Sequence, residues 1–393
     1  MDPVPAVNAL TRRWVAASDG RSTVLAGPGV WPLLALLAVA ADETARAELE
    51  TALGVAATEG DDAARAVLDT LGAGPAVSFA LGLWSRADLP LRKSWLDRVP
   101  AGVHGELSGA PGTDQQRLDT WASEHTDGLI ERMPVKVDRD TVLVLASALT
   151  VRTRWVEPFD DGAQVSPGTG PWAGRRFAAL NRTSYDLTAV TLAETPAGPV
   201  TQLRVAGTDG IDVHLFLGEP DRSPGDILAT GVDLLAGQHP GTGGDALPEG
   251  RPGPGIEVGM VSGHDPHDRC RVVLPRFAVS AEHDLLARPD VFGLAALTDQ
   301  TRGHLPGMSS QPLSLSQARQ DAVAAFTAKG FYAAAVTAFG FRVAAAFRPS
   351  VAAREVRLTF DRPFGFAAVH RESGLVLVAG WVDDPEAWDP PTA

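Results

Sequence analysis

The chain carries one cysteine, Cys270, so no intrachain disulfide can form and the interior alone must supply its stability. Lysine is almost missing: Lys93, Lys136 and Lys329 stand against abundant arginine, a bias that reads as codon usage in a GC-rich, bacterial genome. No stretch approaches the roughly 18 uncharged apolar residues that a membrane helix needs. The most apolar run, Trp31 to Ala41, has the length of a buried helix. At the amino terminus, Met1-Asp2-Pro3-Val4-Pro5 has no basic segment leading into an apolar one, so no secretory signal is read there. Net positive charge is absent too: the chain carries −14, with a pI of about 5.1. Such a surface repels phosphate backbones and anionic lipid, which argues against nucleic-acid and membrane partners.

What is present is apolar material. The chain has 393 residues, 45% of them hydrophobic, enough for a large core. Its length suggests two or three domains, but α+β cores of this size also occur as one unit.

Apolar spacing predicts helices over Ala6 to Ala17, Trp31 to Ala41 and Glu43 to Leu53, the last stopped by Gly54. Val77 to Trp84 reads as a strand, and Asp114 to Met133 as one or two helices. Thr141 to Val151 is a nearly continuous apolar run, the composition of a central strand covered on both faces. From Arg182 onward strands dominate: Val200 to Val205, Ile211 to Leu217, Arg271 to Val279, Val323 to Phe326, Glu355 to Phe360, Phe366 to His370 and Leu375 to Val382. His239 to Gly255 is so rich in Gly and Pro that it reads as a surface loop. No internal repeat is present. Helices first and antiparallel strands later give an α+β class.

The usual catalytic signatures are missing: there is no Gly-x-Ser-x-Gly elbow, P-loop or His-Glu-x-x-His. Gly241-Thr242-Gly243-Gly244 is too short for a dinucleotide fingerprint. The cluster from His264 to Cys270 holds metal-capable side chains, but it reads as a solvated polar turn before a metal site. Asn181-Arg182-Thr183 is a glycosylation sequon, inert without a secretory route. Nothing here argues for an enzyme, and no cofactor or metal is implied.

Four blocks, in order, carry a family resemblance. Trp121, Thr126, Gly128 and Ile130 come first, then Ser147-Ala148-Leu149-Thr150 with Arg154-Trp155 and Pro158-Phe159-Asp160. Leu274-Pro275-Arg276-Phe277 with Asp284-Leu285 follows, and Phe360-Asp361-Arg362-Pro363-Phe364 closes the series, with Glu372-Ser373-Gly374 turning between the last two strands. From about Asn8 to Pro385 the chain resembles a serpin. Gly365 departs from the pattern, standing where the family has a large apolar residue. The resemblance implies one domain over residues 1–393, with helices packed on three mainly antiparallel sheets. It also implies an exposed reactive-centre loop at about 330–354.

Gly330-Phe331-Tyr332-Ala333-Ala334-Ala335-Val336-Thr337-Ala338 resembles the serpin hinge, the segment that enters the central sheet as a new strand. Small side chains suit that insertion because they avoid overpacking. With period-two alternation, Phe331, Ala333, Ala335, Thr337, Phe339 and Phe341 share the face suited to burial. Before insertion these residues are expected in solvent, and Phe331 is expected to hinder entry. Counting from Gly330 places the reactive bond at Ala344-Ala345, with Arg342 and Arg348 as trypsin-like alternatives. The sheet-opening region maps to Ser147, Trp155 and Gln320, with Gly27 and Val30 in place of two serines.

The function implied is suicide-substrate trapping of a serine-type endopeptidase, elastase- or subtilisin-like before trypsin-like, by a monomer. The alternative is a non-inhibitory serpin-fold protein that binds a ligand or partner. The lack of a signal points to the cytoplasm, with an extracellular site left open because many family members act there.

Overall fold

A computed structural model describes residues 2–126, 128, 130–133, 135–299, 301–331 and 351–389. Its strands are β1 (Thr23–Leu25), β2 (Val77–Arg86), β3 (His104–Leu107), β4 (Leu143–Val151), β5 (Thr153–Arg154), β6 (Asp160–Val165), β7 (Phe177–Ser184), β8 (Val190–Thr195), β9 (Gly198–Ala206), β10 (Ile211–Leu217), β11 (Gly241–Gly243), β12 (Ile256–Gly263), β13 (Arg269–Pro275), β14 (Phe277–Asp284), β15 (Gln317–Phe326), β16 (Gly330–Phe331), β17 (Val351–Thr359), β18 (Phe364–His370) and β19 (Leu375–Val382).

They form three sheets. The first runs β1-β19-β18-β10-β9-β8-β11, the second β12-β17-β13-β7-β6, and the third β3-β2-β4-β15-β16-β5, with β14 beside β15. Most neighbours are antiparallel, but β4 with β15, β2 with β3, and β13 with β17 are parallel. The architecture is the α+β fold that the resemblance implies.

Local chemistry explains many boundaries. The helix Trp31–Ala40 is apolar on every side and is buried almost throughout, as a helix inside a large core must be. The helix Glu43–Leu53 starts where the Asp42 carboxylate accepts from the Ala45 amide at 3.1 Å. It stops at Gly54, whose φ of 71° lies in the left-handed region glycine tolerates best. Strand β4 is buried at every position: its outer face packs under the helix Pro111–His125, where Trp84 and Trp121 meet edge to face at 5.7 Å.

Several expectations are revised. The apolar run Arg271 to Val279 is two strands, because the chain leaves the second sheet at Pro275 and enters the third at Phe277. The region Asp114 to Met133 is helical only to His125; Thr126 then caps it, its hydroxyl donating to the Ala122 carbonyl at 2.7 Å. Within His239 to Gly255, Gly241–Gly243 pairs with β8, an edge strand that supplies ladder bonds despite the glycines. The helices Gly60–Gly72 and Pro224–Leu235 lie outside the elements predicted from the sequence.

The first sheet is tightly packed where β19 meets β1. A Cβ at Gly380 would fall 2.2 Å from the Thr23 carbonyl oxygen and 2.6 Å from the Phe366 ring. Gly380→Ala is therefore expected to destabilise the fold by about 1–3 kcal/mol or more through overpacking. An unchanged urea midpoint would contradict that packing.

Candidate functional site

The site is the seam between β4 and β15. The two strands pair directly and in parallel, from Gln317 opposite Val144 to Ala322 opposite Leu149. Ser147 and Gln320 are partners in that register. Gln320 is fully buried, and its amide makes three bonds. Oε1 accepts from the Ala26 amide at 2.8 Å, while Nε2 donates to the Ala26 carbonyl at 2.8 Å and to Ser147 Oγ at 3.2 Å. One side chain thus copies a β-ladder contact and laces β15 to the segment after β1. His283 of β14 adds a second lace, Nε2 donating to the Val24 carbonyl at 2.8 Å.

Gly29 makes room for this clasp: a Cβ there would stand 3.0 Å from Gln320 Nε2 and 3.4 Å from Ser147 Oγ. Gly27 presses on Thr11, where a Cβ would approach Oγ1 to 2.0 Å, and Val30 is buried. A serine at 27 would not fit this packing, so the cluster is carried by Gln320, Ser147 and backbone groups.

Above the clasp the strands diverge around a tight turn. Thr327 donates to the Gly330 carbonyl through its amide at 3.0 Å and its hydroxyl at 2.9 Å. Trp155 grips the turn twice: its backbone amide donates to the Lys329 carbonyl at 3.0 Å and its Nε1 to the Thr327 carbonyl at 2.9 Å. The Phe159 amide donates to Ala328 at 2.8 Å. Trp155, Phe159 and Phe326 pack ring on ring, and the Arg182 guanidinium covers Phe159 at 4.4 Å. Sequence reasoning found Trp155 but missed Arg182; its position inside a short strand of alternating burial was the available signal.

The turn delivers Gly330 and Phe331 into the sheet. Phe331 lies opposite Phe326 of β15 on one side and Thr153 of β5 on the other. Contrary to expectation, Phe331 is fully buried, with its ring 6.2 Å from Phe366. It has already entered, so it is an interior anchor rather than an obstacle at the gate. The remaining hinge residues Tyr332 to Ala338 and the bond Ala344-Ala345 lie outside the described residues.

On the outer face of the seam Asp321 stands opposite Glu282 of β14. Burial first, and then the Glu282 charge, push the Asp321 carboxyl up from 3.8 to about 6. The next pair along, Arg319 and Asp284, forms an ion pair at 3.2 Å. In the polar turn the sequence singled out, His267 is exposed and Asp265 half-buried, while Cys270 is buried with its thiol pushed up to about 12 by burial. The turn therefore does not present that cysteine beside its histidines.

Comparison with known proteins follows the same outline. The family model described as Serpin (serine protease inhibitor) matches residues 8–166 and 260–385. The chain belongs to the serpin family. Serpin-Z2B of rice, Oryza sativa subsp. japonica, is 28% identical over 410 residues, covering 94% of each chain. Serpin-Z1C of wheat, Triticum aestivum, is 26% identical over 374 residues, covering 90% of this chain and 87% of its own. Native protease nexin-1 with heparin superposes with a TM-score of 0.71 at 15% identity, covering 98% of each chain. Human thyroxine-binding globulin with its hormone gives 0.72 at 15% identity, covering 98% of this chain and 97% of that one. These relatives lend the bacterial reading of the arginine bias no support.

Two outcomes follow for this serpin. A carboxyl whose folded pKa exceeds its unfolded value binds more protons when folded, so its contribution is lost as pH rises from about 4 through about 6. Asp321→Asn should gain stability relative to the parent across that window in urea titrations, and a pH-independent difference would refute the pairing. Phe331→Thr should destabilise the intact protein by about 2–4 kcal/mol, the range for large-to-small changes in a core. A gain in melting temperature would show that the side chain is a strain instead.

Proposed function

We propose that this serpin inhibits a serine-type protease as a suicide substrate, by insertion of its loop between β4 and β15. We take the whole chain to act as one domain. The observation that carries the reading is a coincidence of register. Phe331 bridges Phe326 and Thr153, the pair that the closed β4–β15 register would itself bring together. A strand continued from Phe331 needs no shift to run down the opened seam. Thr337 would then sit between Gln320 and Ser147, and Val336 between Asp321 and Ala148.

The energetics favour that motion. One parallel ladder is exchanged for two antiparallel ones, and antiparallel pairing is somewhat more stable per residue. Each added ladder bond contributes about 0.5–1.5 kcal/mol net. Opening costs the Gln320–Ser147 bond and leaves Thr337 to replace it with a hydroxyl of its own. The protease's serine attacks the loop carbonyl, the peptide bond breaks to release the new amino terminus, and the acyl-enzyme ester is carried along by the inserting strand. The serpin supplies no catalytic group to this step; it supplies the substrate and the sheet. The small residues at Ala344-Ala345-Ala346 suit an elastase- or subtilisin-like pocket.

The test is a denaturing gel after mixing with such a protease, with melting measured before and after limited cleavage in the loop. A covalent band and a higher melting temperature for the cut form are expected, with a released fragment beginning at Ala345. A fragment beginning at Val343 or Pro349 would move the bond to Arg342 or Arg348. Ala335→Arg should be cut as fast but trap nothing, because the register sets residue 335 between buried Ala322 and Leu149. Equal melting of cut and uncut protein would support the non-inhibitory reading instead.

A further inference from the structure

Where the chain leaves the second sheet, β7 loses its neighbour. Pro275 is the last residue of β13 in register with β7, opposite Ala179. The Arg276 amide still donates to the Ala178 carbonyl at 2.8 Å, and Phe277 then opens β14 in the third sheet. Residues 176–178 would be left with an open edge, whose backbone groups need partners. Residues 386–388 supply them. Ala387 bridges to Phe177, the Ala178 amide donates to the Glu386 carbonyl at 3.0 Å, and the Trp388 amide donates to the Arg176 carbonyl at 3.1 Å. The segment takes the ladder position that β13 gives up. Its approach is fixed by buried Trp172, whose Nε1 donates to the Asp383 carbonyl at 2.8 Å. Ser22 adds to this, its hydroxyl accepting from the Asp383 and Asp384 amides at 2.9 and 3.0 Å. The family match ends at residue 385, so the pattern shared with other serpins does not include residues 386–388.

Glu386 is the centre of this strap. Its amide donates to the Arg276 carbonyl at 3.0 Å, and its carboxylate accepts from Arg276 Nε at 2.6 Å. The same guanidinium reaches Asp161 Oδ2 through Nη1 at 3.3 Å. Charge-assisted bonds of this kind are the stronger sort. Both neighbours of the contact lead to the turn at the head of the seam. Asp161 stands two residues past Phe159, whose amide donates to the Ala328 carbonyl. Phe277, next to Arg276, stacks on Phe326 at 5.6 Å, and Phe326 lies against Trp155.

We propose that Glu386 is a positioning residue for the turn from Thr327 to Gly330, and that it acts through Arg276 on Phe159 and Phe326. The grip on that turn is full only while residues 386–388 occupy the edge of β7. The turn delivers Gly330 and Phe331 to the third sheet. This deepens the inhibitory reading above and rests on it only where insertion is concerned. A partner that peels the strap away would loosen the head of the seam without touching it.

Amide exchange of the whole protein is the test. Ala178 reports on the strap, Trp155, Phe159 and Thr327 on the turn, and Val213 and Leu215, inside the first sheet, on global unfolding. In Glu386→Gln, and in a chain ending at Pro385, the three turn amides should exchange about tenfold faster, a loss of about 1.4 kcal/mol of hold. Val213 and Leu215 should keep the parent's rates. Glu386→Asp, which retains the charge, should recover part of the protection. Faster exchange confined to Ala178 would show that the strap does not reach the turn, and would overturn the proposal. Equal acceleration at Val213 and Leu215 would reduce Glu386 to a general stabiliser and overturn it too. Covalent trapping of a protease is scored separately: its absence would overturn the inhibitory reading, while exchange at the turn still decides the role of Glu386.

Discussion

Everything in this molecule turns on one ladder, the parallel pairing of β4 with β15. Six consecutive residue pairs close it, and they lie in the middle of a sheet rather than at its edge. Parallel pairing is slightly less stable per residue than the antiparallel pairing that flanks it. What keeps it closed is not that ladder alone but the side chains that stitch its two strands to the rest of the fold. Gln320 of β15, and His283 of the adjoining β14, reach across to backbone groups at Ala26 and Val24, so moving these two strands would also disturb the first sheet.

The two ends of the seam are treated differently. At the top, the turn from Thr327 to Gly330 is gripped by Trp155 and Phe159, and Phe331 has its ring in the core. That end is a short, well-anchored piece of strand. On the outer face, Asp321 and Glu282 confront each other with like charge. Directly opposed like charges weaken a strand pair. They lie between β14 and β15 and not across the seam, so their repulsion is a standing cost of that pair.

Much of this was legible in the sequence. The limits of β10 and β19 and the end of the Glu43–Leu53 helix match their predicted boundaries, because apolar alternation and a left-handed glycine act locally. Ser147, Trp155 and Gln320 were found through their order along the chain, and the structure brings Ser147 against Gln320 while setting Trp155 on the turn above. What could not be read is what depends on distant partners. Phe331 is expected in solvent because the resemblance counts it with the loop, but Phe366, Phe326 and Thr153 enclose it from remote parts of the chain. The strand Gly241–Gly243 has no propensity of its own and exists only because β8 offers an edge. The break at Pro275 is a change of sheet, and nothing local distinguishes that from a bend.

The last hairpin, β18 and β19, fills the first sheet between β10 and β1. Strand β1 is made within the first 25 residues and finds its partner only when Ala379 to Trp381 have been made. At about 5–20 residues per second, ribosomal synthesis leaves that early strand waiting for roughly 20–70 seconds. Once Ile211 to Leu217 have been made, β10 also presents an open edge until β18 follows, the kind of surface that recruits strands from other chains. Synthesis of Phe364 to Val382 is thus the event that seals the sheet, and a nascent or truncated product that lacks them is left adhesive by construction.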